Sequence, residues 1–178
     1  MLLSLFDNEK GEHMEILDAY NGDGSLAGCD LIRGEKIPQG LFHLVSEVIV
    51  RHTDGDFLLT QRDYNKKVFP GMFEATVSGG AIKGESAEEC AIRELKEETG
   101  LDCTNLIYIC KSIDPATQGI YYIYLCETDC SKNSITLQAG ETISYQWMSQ
   151  ADFLKFIETD RYVKSDKVIK KSYFDSLR

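Results

Sequence analysis

Residues 79–101, GGAIKGESAEECAIRELKEETGL, hold six glutamates and a single arginine between a glycine pair and a closing Gly-Leu. Ser86-Ala-Glu-Glu89 has the form of a capping box, in which the serine hydroxyl and the glutamate three residues on satisfy each other's free backbone amides. Gly100 stands where a left-handed C-terminal cap belongs. The spacing therefore predicts a helix over about 86–99. At about 100° per residue, Ala87, Cys90, Ala91 and Leu95 make one apolar stripe. Acids that merely face water would lie opposite it. Glu88 and Glu89 do, but Glu94 and Glu98 fall at the centre of the stripe and Glu97 at its edge. Glu94 and Glu98 also repel as an i, i+4 like-charge pair. Glu97 and Glu98 sit at the negative end of the helix dipole. A bound divalent cation relieves all of these costs; the alternative is a frustrated helix end that is simply solvated.

On both sides of this helix the chain alternates apolar runs with turn signals. Met14–Tyr20 runs into Asn-Gly-Asp-Gly, followed by Leu26 and Leu31–Ile32. His43–Arg51 meets Asp54-Gly55 and resumes at Phe57–Gln61, a hairpin pattern. Met72–Val77, Leu106–Lys111, Ile120–Glu127 and Ile143–Met148 read as further strands, and Gln150–Glu158 and Val163–Leu177 as helices. Strands around one acidic helix, with helices outside them, predict an α/β/α sandwich built on a mixed β-sheet.

The 178 residues suit one domain with a real core, 43% hydrophobic and 27% charged. A net charge of −10 argues against gripping a nucleic-acid polymer by charge, and an anionic substrate would need local cations. No run has the length of a membrane helix, and MLLSLF lacks the form of a signal peptide. Six scattered cysteines contain no Cys-x-x-Cys; Cys126 and Cys130 have near-ligand spacing but no histidine follows. Reduced thiols and a cytoplasmic location are the expectation.

The helix and its flanks fill every position of the Nudix box: Gly79, Glu85, Arg93, Glu94, Leu95, Glu97, Glu98, Gly100 and Leu101. The likeness extends over about 43–150 through Gln61-Arg62, Pro70-Gly71-Met72-Phe73 and an acid, Glu141, ahead of Trp147. The chain thus resembles the Nudix hydrolases. The stretch MEILDAYNGDGSLAG with IRGEKIPQGLFHLV is similar to the subgroup related to isopentenyl diphosphate isomerase. On that likeness residues 1–40 form an arm and hairpin packed on a Nudix domain of residues 41–178, and the first 40 residues are a candidate homodimer contact.

The resemblance implies a Mg²⁺-dependent hydrolase, with Mn²⁺ as an alternative ion, of a small nucleoside diphosphate linked to another moiety. Mg²⁺ favours hard oxygen ligands shared with substrate phosphate. The implied metal ligands are Glu94 and Glu98, assisted by Glu97, and the backbone oxygen of Gly79; Arg93 orients Glu85. Glu141 is the first candidate for general base or extra ligand, with Glu74 and Glu47 behind it. Arg62 is a candidate phosphate contact, and Tyr122 and Phe73 are candidates for the rest of the substrate; His43 reads as structural. Two rival functions are an isomerase and a non-catalytic nucleotide-binding module. The isomerase uses a cysteine and, two residues on, a metal-binding histidine before the box. Here those positions hold Ser78 and Gly80, whose side chains supply neither function. A non-catalytic module generally has a degraded box, and this one is intact.

Overall fold

Among the described residues, Leu41–His52 carries the longest run of buried residues, continuous from Ser46 to Val50. A strand buried on both faces must have layers on both sides. A computed structural model, describing residues 5–7, 13–103, 105–164 and 170–178, shows how this is met. The strands are β1 Leu5–Asp7, β2 His13–Asn21, β3 Leu26–Ile32, β4 Leu41–His52, β5 Phe57–Arg62, β6 Phe73–Glu74, β7 Thr76–Gly80, β8 Leu106–Asp114, β9 Gly119–Thr128 and β10 Thr142–Met148. The helices are α1 Ala87–Thr99, α2 Gln150–Phe156 and α3 Lys171–Ser176. β4 runs parallel to β9, from His43↔Gly119 to His52↔Thr128, and antiparallel to β7. The sheet is therefore mixed. Val48 and Val50 of β4 pack towards α1 with Ala91 and Leu95, while Ile49 packs on the other face with Phe153 of α2 and Phe174 of α3. These are the layers of the α/β/α sandwich.

The Asp54-Gly55 turn forms, with Gly55 at φ +97°, but the hairpin beyond it is one pair deep, Arg51↔Phe57. The two strands then part, and the short strands β6 and β7 enter the gap. β6 pairs with β5 (Thr60↔Glu74, Gln61↔Phe73) and β7 with β4. This wedge replaces the single strand expected over 72–77, and it carries Glu74 and Gly79 into the middle of the sheet.

The N-terminal hairpin β2–β3 turns at Asn21–Gly24 and joins the sheet through Tyr20↔Phe42 and Asn21↔Leu41. At the other end, helical backbone begins at Lys164, within a residue of the start expected at Val163. Just before it, Phe73 pairs in parallel with Tyr162, and the Val163 amide donates to the Phe73 carbonyl at 2.9 Å. Tyr162 and Val163 are both buried there, laid on the sheet. Residues 165–169 of that expected helix, and most of 1–13, lie outside the described residues.

Candidate active site

α1 is fixed at both ends by the groups its sequence supplies. The Ser86 hydroxyl accepts from the Glu89 amide at 3.2 Å, and the Glu89 carboxylate accepts from the Ser86 amide at 2.9 Å. Gly100 adopts φ +74° and its amide closes on the Lys96 carbonyl. With the ends set, the helix register puts Cys90, Ala91 and Leu95 fully inside, and Glu94, 9% exposed, goes in with them.

Glu94 lies directly over β7. A Cβ added to Gly79 would stand 1.9 Å from the Glu94 carboxyl, so only glycine leaves room for the acid. The Gly79 carbonyl accepts from the Cys90 thiol at 3.4 Å, and burial pushes that thiol's pKa up to about 12. Arg93 grips Glu85 with two bonds, Nε to Oε1 and Nη2 to Oε2, each 2.8 Å. Its Nη1 reaches Glu94 at 2.6 Å and Glu97 at 3.3 Å, and Nη2 reaches the Gly80 carbonyl at 3.2 Å. The hydrogen bonds it donates to Glu85 raise the guanidinium's pKa above its already high ordinary value. Burial raises Glu94's pKa, although the adjacent Arg93 opposes the shift.

Glu98, further along the same helix, is also shifted. Although the residue keeps some exposed surface, its carboxyl is crowded by protein, and desolvation raises its pKa well above the ordinary glutamate value. The charges of Glu74, Glu94 and Glu141 push it further in the same direction, while Lys66 opposes them. Helix α1, strand β6 and the loop before β10 thus bring three further carboxylates within electrostatic reach of Glu98. Cations surround them: Arg62 pairs with Glu74 at 2.7 Å, Lys66 pairs with Glu141, and Arg93 holds Glu94. Among the described residues no three His, Cys, Asp or Glu side chains already form a metal-binding set. The donors are nonetheless all hard oxygen, their mutual repulsion is the condition a divalent cation relieves, and the bare Gly79 leaves a cradle for Glu94. The residues fit a Mg²⁺-like ion.

Other candidates from the sequence lie elsewhere. Phe73 is buried on the far face of the sheet, edge-to-face with Phe156 and under the Arg161 guanidinium. Tyr122 packs against Ala87 and Cys90 at the beginning of α1, with Lys111 over its ring. At 1.5 Å per residue, Glu98 is about 16 Å further along the helix than Ala87. Neither aromatic belongs to the carboxylate cluster. Glu47, by strand alternation, faces away from α1 and pairs with the buried Lys170 at 2.6 Å. His43 bonds the Gln118 carbonyl through Nδ1, and burial lowers its pKa. All six cysteines are free thiols.

Sequence reasoning passed over Lys66 and Arg33, whose Nη2 donates to the Gly80 carbonyl at 2.9 Å. Lys66 had a signal: the Lys66-Lys67 pair is a concentration of positive charge in an acidic chain. Arg33 had none, because 47 residues separate it from Gly80.

Comparison with known proteins agrees with this geometry. The NUDIX domain family model matches residues 41–170. A Nudix hydrolase of Listeria innocua, itself uncharacterised, is 36% identical over 137 residues, covering 77% of this chain and 81% of that protein. Its counterpart in Listeria monocytogenes is also 36% identical, over 88 residues that cover 49% of this chain and about half (52%) of that protein. An isopentenyl-diphosphate Delta-isomerase of Citrobacter koseri is 27% identical over 176 residues, 94% of each chain. In three dimensions the chain is similar to DR0079 of Deinococcus radiodurans, with a TM-score of 0.71 and 18% identity over 89% of this chain and 99% of that one. It is also similar to the NUDIX domain of Shewanella oneidensis NrtR, solved with ADP ribose, with a TM-score of 0.57 and 18% identity over 77% and 89% of the two chains. No helix among the described residues is long and apolar enough to cross a membrane. With the complete box on α1 and a family match spanning most of its length, the chain belongs to the Nudix hydrolase family.

Proposed function

We propose that the protein hydrolyses a diphosphate bond in a small nucleoside diphosphate linked to another group, with Mg²⁺ or Mn²⁺ held at the C-terminal half of α1. The observation that carries this reading is the convergence of Glu98, Glu94, Glu74 and Glu141, with Glu98 resisting ionisation. Glu94 and Glu98 would hold the ion, with Glu97 beside them. When bound, the ion supplies charge neutralisation at the diphosphate and lowers the pKa of a water. Arg93 keeps Glu94 and Glu85 in place against the Gly80 carbonyl. Arg62 and Lys66, now paired with Glu74 and Glu141, would exchange those partners for substrate phosphate. Glu141, on a loop and 40% exposed at its side chain, is the carboxylate free enough to take a proton from water. The Gly79 carbonyl is engaged by the Cys90 thiol, and it would join the ligands by releasing that weak bond.

The isomerase relatives raise a second enzymatic reading, but Ser78 and Gly80 stand where that chemistry needs a thiol and an imidazole. Ser78 pairs with Glu47 along the strands.

A panel of nucleoside diphosphate derivatives, dinucleotides and isopentenyl diphosphate, incubated with Mg²⁺ or Mn²⁺, tests the proposal. Hydrolysis products detected through a coupled phosphatase, abolished by EDTA and restored by Mg²⁺, are expected. Full turnover in excess EDTA, or proton exchange into isopentenyl diphosphate that depends on Ser78, would overturn it.

A further inference from the structure

The N-terminal hairpin shares two residue pairs with β4, yet four of its groups hold the loop between β7 and α1. The Lys83 amide donates to the Ile16 carbonyl at 2.8 Å. The Gly84 amide donates to Asp18 Oδ2 at 2.7 Å, and Lys83 Nζ meets Asp30 Oδ2 at 2.7 Å. Arg33 Nη2 donates to the Gly80 carbonyl at 2.9 Å while its Nε pairs with Glu15 on β2. The loop from Gly80 to Gly84 is therefore held from strands β2 and β3 and from the residue that follows them.

Arg33 acts at the end nearest the acids. Gly80 gives its carbonyl to two guanidiniums, those of Arg33, 47 residues before it, and Arg93, 13 residues after it. That fixes the peptide plane between Gly80 and Ala81. One residue back, the backbone of Gly79 is the floor on which the Glu94 carboxyl rests, with no room for even a methyl group between them. A shift of the Gly80–Ala81 peptide is passed through Gly80 to that floor.

We infer that the N-terminal hairpin is a clamp for the metal-binding loop, with Arg33 as its positioning residue. It rests on the reading of Glu94 and Glu98 as metal ligands. Arg33 acts through the Gly80 carbonyl and does not contact substrate. The hairpin is thereby part of the active site's architecture although it lies outside the box.

The test uses the full chain carrying Arg33→Met, which keeps the aliphatic stem and removes the guanidinium, with Arg33→Lys and Asp18→Asn beside it. Amide hydrogen exchange over 81–85 reads the clamp directly. Mn²⁺ titration followed by electron paramagnetic resonance reads the ion site without turnover. In Arg33→Met the exchange is expected to accelerate and Mn²⁺ affinity to fall about 10-fold, the scale of losing a group that orients a ligand. At saturating metal, kcat is expected to fall while KM stays within about twofold, because a positioning loss acts on the transition state. Arg33→Lys should recover part of the affinity, and Asp18→Asn should show the same pattern in weaker form. Unchanged exchange in both Arg33→Met and Asp18→Asn would overturn the clamp. A raised KM with exchange and Mn²⁺ affinity intact would instead make Arg33 a phosphate contact. If wild type binds no Mn²⁺, the metal-site reading fails and with it the clamp's link to the metal, while accelerated exchange would still establish the mechanical hold. If Arg33→Met does not fold, Asp18→Asn and Arg33→Lys decide the same outcomes.

Discussion

Glu98 carries its charge at a cost. Desolvation and three neighbouring carboxylates hold its pKa well above the ordinary glutamate value of 4.5. Above both values the folded chain bears a charge that the unfolded chain bears more easily, so stability is lower there. As pH falls through the raised value the folded state takes up its proton first, and the gain is complete near 4.5. In EDTA the melting temperature should therefore rise as pH is lowered from 8 towards 5. Glu98→Gln removes most of this slope, leaving the contribution of Glu94, which is raised for the same first reason. At pH 8 the variant should melt higher than wild type by about 2–4 °C, the shift expected for about 1 kcal/mol in a chain of this size. Its kcat should fall about 10²–10³-fold, the scale of losing one preorganised electrostatic group. Mg²⁺ should raise the melting point of wild type by mass action and that of the variant much less. Thermal shifts over pH, with and without Mg²⁺, give the melting points, and steady-state rates give kcat. A Glu98→Gln protein that melts lower in EDTA would mean the carboxylate is a structural partner.

At the scale of elements, α1 and β7 separate stability from chemistry. The capping box stabilises the start of the helix, far from Glu98. Ser86→Ala should lower stability by about 1 kcal/mol and leave kcat at saturating Mg²⁺ unchanged. Gly79→Ala acts at the other end. Its methyl would enter the volume of the Glu94 carboxyl, at 1.9 Å, so the acid must leave its seat. We expect an overpacking cost of about 1–3 kcal/mol and a fall in kcat of at least about tenfold. Denaturant unfolding and steady-state rates on the two variants make the comparison. Equal activity in Gly79→Ala and wild type would show that Glu94 has another productive position. The wedge of β6 and β7 explains why these elements meet. By opening the β4–β5 hairpin it brings Glu74 and Gly79 under α1, one from each short strand.

On the scale of the whole molecule, the sheet separates two buried ionic systems. Towards α1 lie the acids of the box. On the opposite face Glu47 meets Lys170, a lysine with no exposed surface that ties the C-terminal segment to the centre of β4. Glu47→Gln removes the carboxylate charge beside a fully desolvated ammonium and should cost about 3–5 kcal/mol. The protein that remains folded should keep its kcat, since the sheet stands between the substitution and the site. Unfolding curves paired with activity per folded molecule check this. A loss of kcat without a loss of stability would bring Glu47 back as a catalytic group.

The sequence by itself determined α1, its caps and the inward position of Glu94, because each depends on spacing along one helix, and the family resemblance added the pairing of Arg93 with Glu85. It also showed most strands, through the alternation of β-branched and aromatic residues. It mistook Met72–Val77 for one strand, because strand partners are chosen by distant chain segments. Tertiary structure alone set the sides of the sheet. Glu74 and Glu47, equal as candidates in sequence, went to opposite faces by the parity of their positions on β6 and β4. Tertiary structure alone also brought Lys66, Arg33 and the N-terminal hairpin to the acids, since a cation's place is fixed by which carboxylate or carbonyl it meets after folding, and local spacing holds no record of that.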